Sequence, residues 1–295
     1  MGELLALSTY AVREFSYQPE DFKQVATLLN QLTGIKLAPS KDSMVYSRLV
    51  RRIRALNLEG FPQYLQYLDH HPEEEQHFIN ALTTNLTSFF REPHHFDILA
   101  NYVSQHPQIK TIWCAASSTG EEPYSIAMTL AQSFGRFDHG VRIIASDIDS
   151  QVLTTAAKGV YSLDKLKGLP IEYCRQFFHR GKGANEGAAR VIPELQQAIE
   201  FKKINLLDKQ WPLSAPIDVI FCRNVMIYFD KPTQHHILSR MVHLLKKDGL
   251  YIAGHSENFS HLHQLVVPAG KTTYRPSPQL VTSPESDLRG SHGRI

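Results

Sequence analysis

Cysteine is scarce. Only Cys114, Cys174 and Cys222 occur among 295 residues, widely spaced and with no C-x-x-C pair. An odd, sparse set of this kind fits the reduced thiols of a cytosolic protein and not a disulfide framework. Long hydrophobic runs are missing too, and no stretch approaches the ~18 apolar residues that would argue for a membrane span. The opening MGELLALSTYAVREF has no basic n-region, so it does not read as a signal peptide. Ala6 stands where a myristoylation signal after Gly2 needs Ser or Thr. Charge of one sign is not in excess: 31 Lys and Arg against 29 Asp and Glu leave a formal +2. A dedicated duplex-DNA binder usually carries more, so any basic surface is local. With 16 glycines and 16 prolines the chain is neither collagen-like nor of low complexity, and 42% hydrophobic residues exclude a mostly disordered chain. P-loop, G-x-S-x-G and H-E-x-x-H motifs are all absent. The paired histidines (His70/His71, His94/His95, His235/His236) point apart on a helix, and a metal site is not expected.

The length allows about two domains, and the patterning changes a little over a third of the way along the chain. Residues 19–80 carry helical periodicity. Glu20–Leu32 is one helix stopped by Gly34, and Lys41–Leu56, capped by Ser40, is a second. Phe61–Leu68 and Glu73–Leu82 follow. After about residue 108, short apolar runs (Thr111–Ala115, Val141–Ala145, Ile199–Ile204, Ile217–Cys222, Leu250–Ala253) alternate with helices at Pro123–Phe134, Ser150–Ala157 and Lys231–Leu245. This rhythm predicts a doubly wound, mostly parallel α/β sheet covered on both faces. From Tyr161 to Gln197 the rhythm breaks, and RGKGANEGAARVIPE suits an antiparallel β insertion. The expected domains are therefore 14–84, all α, and 85–276, α/β, with the insertion at about 161–197. A polar, proline-rich tail at 277–295 is expected to be disordered.

Ligands of such sheets lie beyond the carboxyl ends of the strands, which makes the residues after each run the informative ones. The first junction, TIWCAASSTGEEPYS, turns on small residues and Gly120 into a helix that Pro123 is expected to open. Its single glycine is not a dinucleotide fingerprint. Glu121 and Glu122 would repel a pyrophosphate but suit a ligand with a cationic end, though acids here also simply complement the helix dipole. The second run ends at Asp147 and Asp149, with Asp147 placed for ribose hydroxyls and Asp149 for a helix cap. A nucleoside with a positive tail satisfies both junctions, and S-adenosylmethionine is such a molecule. Arg223 and Tyr228 follow the run that ends at Cys222. Asn85, Thr87 and Arg91 precede the first strand, beside Phe89 and Phe90, which read as aromatics docked on the core. On the Lys41–Leu56 helix, Arg48, Arg51, Arg52 and Arg54 share an arc of about 160°. That arc is either a solvated face or a docking surface for an acidic partner or RNA.

Four strings taken together, NLTSFFREPHHF (85–96), ASSTGEEPYS (116–125), ASDID (145–149) and FCRNVMIYFDKPTQ (221–234), closely resemble the CheR family of chemotaxis methyltransferases. INLLDK (204–209) and GHSENFS (254–260) reinforce the match, which spans about residues 20–276. The resemblance implies a Rossmann-like class I methyltransferase with an N-terminal all-α domain and an inserted β-subdomain. It implies transfer of methyl from S-adenosylmethionine to glutamate side chains of chemoreceptors, leaving S-adenosylhomocysteine, with no metal. Cofactor contacts carried over are Asn85, Thr87, Arg91, Glu122, Asp147, Asn205, Leu206, Cys222 and Arg223. Arg91, Arg223 and Tyr228 would surround the transferred methyl. The arginine helix becomes the receptor-facing one, and the hairpin around Gly181–Val191 matches a subdomain that in some members grips a tethering peptide at the receptor C-terminus. The implied protein is cytoplasmic, reaches receptor arrays at the inner membrane through its substrate, inserts in no membrane and binds no nucleic acid. A monomer is the default. Competing readings are a nucleic-acid methyltransferase, disfavoured by the lack of an N-P-P-Y-type motif and of a Pro-Cys nucleophile, and a non-catalytic S-adenosylmethionine-binding adaptor.

Overall fold

A computed structural model describes residues 13–281; the opening MGELLALSTYAV and residues 282–295 of the expected tail lie outside the described residues. The chain divides into two compact units, at 83/84.

The first unit is helical: α1 (Pro19–Thr33), α2 (Asp42–Ala55), α3 (Phe61–His70) and α4 (Pro72–Leu82). Each turns an apolar stripe inward. α1 buries Val25 and Leu29; α2 buries Val45, Leu49, Val50 and Ile53; α3 and α4 contribute Phe61, Tyr64, Phe78 and Leu82. Gly34 ends α1 in a left-handed conformation, φ 75°, with its N–H donating to the Asn30 carbonyl. Ser40 does not cap α2. It lies inside a 3-10 turn at Pro39–Lys41, and α2 starts without a side-chain cap. Pro39 already fixes the φ that begins this turn, so the chain coils before the expected cap is reached.

The second unit runs α5 (His94–Gln105), β1 (Thr111–Ala115), α6 (Glu121–Phe134), β2 (Arg142–Asp147), α7 (Ser150–Lys158), β3 (Val160–Ser162), α8 (Leu163–Leu166), α9 (Ile171–Phe177), β4 (Phe178–Arg180), β5 (Ala188–Val191), α10 (Pro193–Gln197), β6 (Ile199–Lys203), β7 (Ile217–Cys222), α11 (Lys231–Leu244), β8 (Leu245–Ala253), β9 (Val266–Gly270) and β10 (Thr273–Pro276). Seven strands form one sheet in the order β6-β2-β1-β7-β8-β10-β9. The first five pair in parallel, and β10 is antiparallel to both neighbours. Strand order reverses between β1 and β7, which makes their carboxyl ends the switch point where an open α/β sheet receives a ligand. All six residues of β7 are buried, as a central strand covered on both faces requires. α6 buries every residue from Glu121 to Ala131, so it is wrapped on all sides. It begins two residues before Pro123, whose missing N–H falls in the first turn, where no intrahelical acceptor exists. The insertion is a three-stranded antiparallel sheet, β3-β5-β4, in which β4 and β5 form the hairpin. No helix among the described residues is long and apolar enough to cross a membrane.

Candidate functional site

The turn after β1 is held in a costly conformation. Ala116 (φ 69°), Ser118 (φ 48°) and Gly120 (φ 98°) are all left-handed, and for the two non-glycine residues this costs about 1–3 kcal/mol each. A Cβ on Gly120 would lie 2.8 Å from both the Ala156 Cβ and the Tyr161 hydroxyl, so only glycine fits. Specific bonds hold the strain. The Ser117 N–H donates to the Ser146 carbonyl at 2.8 Å, the Ser118 N–H to Asp147 Oδ2 at 2.8 Å, and the Tyr161 hydroxyl to the Thr119 carbonyl at 2.7 Å. The result is a tight cup of small side chains, and the buried Ser117 Oγ has no partner among the described residues.

The two acids that open α6 diverge. Glu121 turns away, accepting from Thr119 Oγ1 at 2.6 Å and pairing with Lys165 of α8. Its charge is neutralised there, so it serves the scaffold. Glu122 faces the switch point: Oε1 accepts from the Cys114 thiol at 3.2 Å, and Oε2 meets Arg223 Nη1 at 2.5 Å.

At the end of β2, Asp149 caps α7 by accepting from the N–H groups of Gln151 (2.9 Å) and Val152 (3.2 Å), and its other oxygen accepts from Asn85 Nδ2 at 2.8 Å. Asp147 accepts from the Asp149 N–H at 3.0 Å as well as from Ser118. Burial pushes its carboxyl up to about 6 despite those backbone donors. After β6, Asn205 Oδ1 accepts from the Leu207 N–H at 3.0 Å, and the Asn205 carbonyl takes the Trp211 indole N–H at 3.2 Å. Arg240 of α11 stacks on Trp211 at 3.8 Å and donates to the Leu206 carbonyl.

Arg223 follows β7 with its side chain fully shielded from solvent. Besides Glu122, it donates through Nη2 to the Arg91 carbonyl at 2.5 Å and approaches Glu92 Oε2 at 3.3 Å; Nε is buried without a partner. Such an arginine survives burial because two carboxylates flank it. The next residue, Asn224, is left-handed (φ 58°). Glu257 fixes this bend by accepting from the N–H groups of Asn224 (3.1 Å), Met226 (2.8 Å) and Gly254 (2.6 Å). Tyr228 closes the short 3-10 turn Met226–Tyr228 and is half-buried. Arg91 Nη1 reaches the Leu86 carbonyl at 3.1 Å. Phe89 is buried edge-on against Tyr161 (5.0 Å) and Phe178 (5.5 Å), and so docks the 85–92 segment on the inserted sheet.

Of the residues singled out from sequence, Glu122, Arg223 and the Arg91 main chain are brought into direct contact. Asp147 and Cys222 end β2 and β7, the two strands that flank β1; Asn85 joins Asp147 through Asp149, and Asn205 and Leu206 begin the turn after β6. Thr87, half-buried, lies between Asn85 and Arg91 on the same segment. The four arginines of α2 belong to the other unit and are unequal. Arg48 donates to the Ala81 and Thr83 carbonyls at the end of α4, and Arg52 forms a two-pronged pair with buried Glu74. Arg54 pairs with Glu14 at the surface. Arg51 is exposed with no side-chain bond among the described residues.

Sequence reasoning passed over Glu92 and Glu257 as site residues, although both lie in quoted motifs. The signal was present: a buried arginine at a strand end requires counter-carboxylates. Glu122, Asp147 and the unpartnered polar atoms of Ser117 and Arg223 fit a nucleoside with hydroxyls at one end and positive charge at the other.

A mostly parallel seven-stranded sheet with an antiparallel strand next to its far edge, carrying this acid-lined switch point, defines the class I methyltransferase fold. The chain belongs to the CheR methyltransferase family. Residues 85–275 match its SAM-binding domain and residues 20–83 its all-alpha domain. It is 54% identical over 269 residues to chemotaxis protein methyltransferase 2 of Pseudomonas aeruginosa, covering 90% of this chain and 96% of that one. It is 52% identical over 255 residues to the chemotaxis protein methyltransferase of Salmonella typhimurium, covering 86% and 88%. The Escherichia coli protein of the same name is 51% identical over 255 residues, covering 86% and 89%.

Proposed function

We propose that the chain transfers methyl from S-adenosylmethionine to glutamate side chains of methyl-accepting chemoreceptors, forming glutamate methyl esters and S-adenosylhomocysteine in chemotactic adaptation. The observation that carries this reading is the pair of carboxylates, Glu122 in the first turn of α6 and Asp147 at the end of β2, beside a strained small-residue turn. Asp147 would take the ribose hydroxyls, Glu122 a cationic end of the cofactor, and Asn205–Leu206 the adenine. Asn85, Thr87, Arg91, Cys222 and Arg223 would complete the contacts.

The methyl bound to sulfonium supplies the electrophile. The acceptor carboxylate, with an ordinary pKa of about 4.3, is ionised at neutral pH and needs no general base. Opposite charges cancel as the carboxylate oxygen attacks the methyl carbon in line with the breaking C–S bond, so the protein's tasks are alignment and exclusion of water. Arg223 has its charge committed to Glu122 and Glu92. Arg91, bonded among the described residues through Nη1 to a carbonyl, keeps donors with which to orient the acceptor carboxylate. Tyr228 would place its hydroxyl near the reacting centre. Leu86 (82% exposed) and Ile227 (48%) adjoin these loops, and exposed apolar side chains beside a catalytic rim suit a protein acceptor. The exposed arginines of α2 would dock along the acidic receptor helix, and the β3-β5-β4 sheet would hold a receptor tether. The expected location is the cytoplasm, at receptor arrays.

Incubation with methyl-labelled S-adenosylmethionine and either receptor membranes or RNA tests the proposal. Base-labile label on the receptor is the expected result. Label on RNA would indicate the nucleic-acid methyltransferase, and cofactor binding without transfer the adaptor.

A further inference from the structure

Glu92 ties its own segment to the turn after β7 and to the residues after β8. Its Oε2 lies 3.3 Å from Arg223 Nη2 and accepts from the His255 N–H at 3.0 Å, while Oε1 accepts from Asn224 Nδ2 at 3.3 Å. The residue itself is left-handed, φ 56°, a conformation that glutamate adopts only under constraint. Burial works to raise its carboxyl, but the Arg223 charge and the His255, Asn224 and Arg223 hydrogen bonds outweigh it and hold the group below the ordinary range. Glu92 is therefore an anion throughout the neutral range.

The charge count follows. Glu122 and Glu92 carry two negative charges, and Arg223 between them carries one positive. The other titratable side chains in contact with the two carboxylates, His95 and the Cys114 thiol, add no charge. His95 Nδ1 is 3.5 Å from Glu92 Oε2, but burial pushes this histidine down to about 3, so it stays neutral. The Cys114 thiol on Glu122 is pushed well up by burial and is neutral too. The buried cluster thus bears a net −1. S-adenosylmethionine and S-adenosylhomocysteine differ by one methyl group and one positive charge, at sulfur.

Resting on the assignment of this rim to S-adenosylmethionine, we propose that Glu92 is a specificity-determining residue: its charge gives the Arg223 cluster an excess negative charge that favours the sulfonium cofactor relative to the thioether product. Without Glu92, Glu122 and Arg223 cancel, and the sulfur charge no longer meets a net field. Glu92 acts through Arg223 and need not touch the ligand. For unit charges about 12 Å apart at an effective dielectric near 20, the lost discrimination is on the order of tenfold.

The test measures the dissociation constants of both compounds by calorimetry on the full chain, for the wild type, Glu92→Gln and Glu92→Asp. In Glu92→Gln the ratio of the S-adenosylmethionine constant to the S-adenosylhomocysteine constant should rise about tenfold. Glu92→Asp keeps the charge, so its ratio should stay within about twofold of wild type even where both affinities fall. Equal weakening of both compounds in Glu92→Gln would reduce Glu92 to a structural brace and overturn the proposal. A ratio that moves in Glu92→Asp would overturn it as well, and that variant decides the matter if Glu92→Gln does not fold. A wild-type chain that binds neither compound would instead sink the assignment of the site.

Discussion

If Asp147 takes the ribose hydroxyls, as proposed, its burial should make cofactor binding pH-dependent. A carboxyl at about 6 is ionised at pH 7.5 and increasingly protonated below 6, and only the ionised form offers both oxygens to ribose hydroxyls. Affinity for S-adenosylmethionine is therefore present above pH 6 and lost as the pH falls through it, by up to tenfold between pH 7 and about 5. Titrations across that range check this; Asp147→Asn should bind weakly and without pH dependence. Tyr228→Phe should lower kcat at unchanged cofactor KM, because the ring stays and only the hydroxyl is removed; identical kcat and KM would remove Tyr228 from the mechanism. At this scale the sequence was readable where chemistry is tied to a strand end. Asp149 as a helix cap and the docking of Phe89 and Phe90 on the core follow from local pattern alone. That Glu121 and Glu122 serve different partners was not readable, because it depends on Lys165, which reaches Glu121 from an inserted element 44 positions along the chain.

Among elements, α2 shows how sharing a helix face does not mean sharing a role. Arg52 holds Glu74, which is 96% shielded at its side chain and also accepts from the Tyr64 hydroxyl at 3.0 Å. Removing it leaves a buried carboxylate half-paired, and Arg52→Ala should cost about 2–3 kcal/mol in denaturant unfolding. Arg51→Ala should change stability by less than about 0.5 kcal/mol. If α2 docks on receptors, Arg51→Glu should nevertheless slow receptor methylation several-fold at low salt, with the deficit shrinking as salt screens the contact. Rates unaffected at low salt would remove Arg51 from docking. The turn into α6 is the second case. Gly120→Ala forces a Cβ against Ala156 and Tyr161 and should abolish measurable cofactor binding, or unfold the chain as seen by circular dichroism. Helical periodicity marked α1 to α4 to within two or three residues. The stripe Phe96, Leu99 and Val103 of α5 carried an equal signal that was passed over, and β9 and β10 escaped because short antiparallel strands lack the long apolar run of a buried parallel one.

For the whole molecule, a formal charge of +2 on 295 residues conceals local extremes: exposed arginine on α2 in one unit and a net-negative buried cluster at the switch point of the other. Alternation of apolar runs with helices was enough to foresee a parallel sheet, because both faces of each central strand must be covered and composition records that. The strand order and the antiparallel β10 were not foreseeable, since pairing between distant segments leaves no periodicity in either. The central claim is that the acid-lined rim between β1, β2 and β7 is a single site for a positively charged nucleoside. Equilibrium dialysis of the full chain against methyl-labelled S-adenosylmethionine measures this directly. The account predicts saturable binding of one molecule per chain, competed by S-adenosylhomocysteine and weakened by Glu122→Gln. Absence of saturable binding, or binding that Glu122→Gln and Asp147→Asn both leave intact, would contradict it.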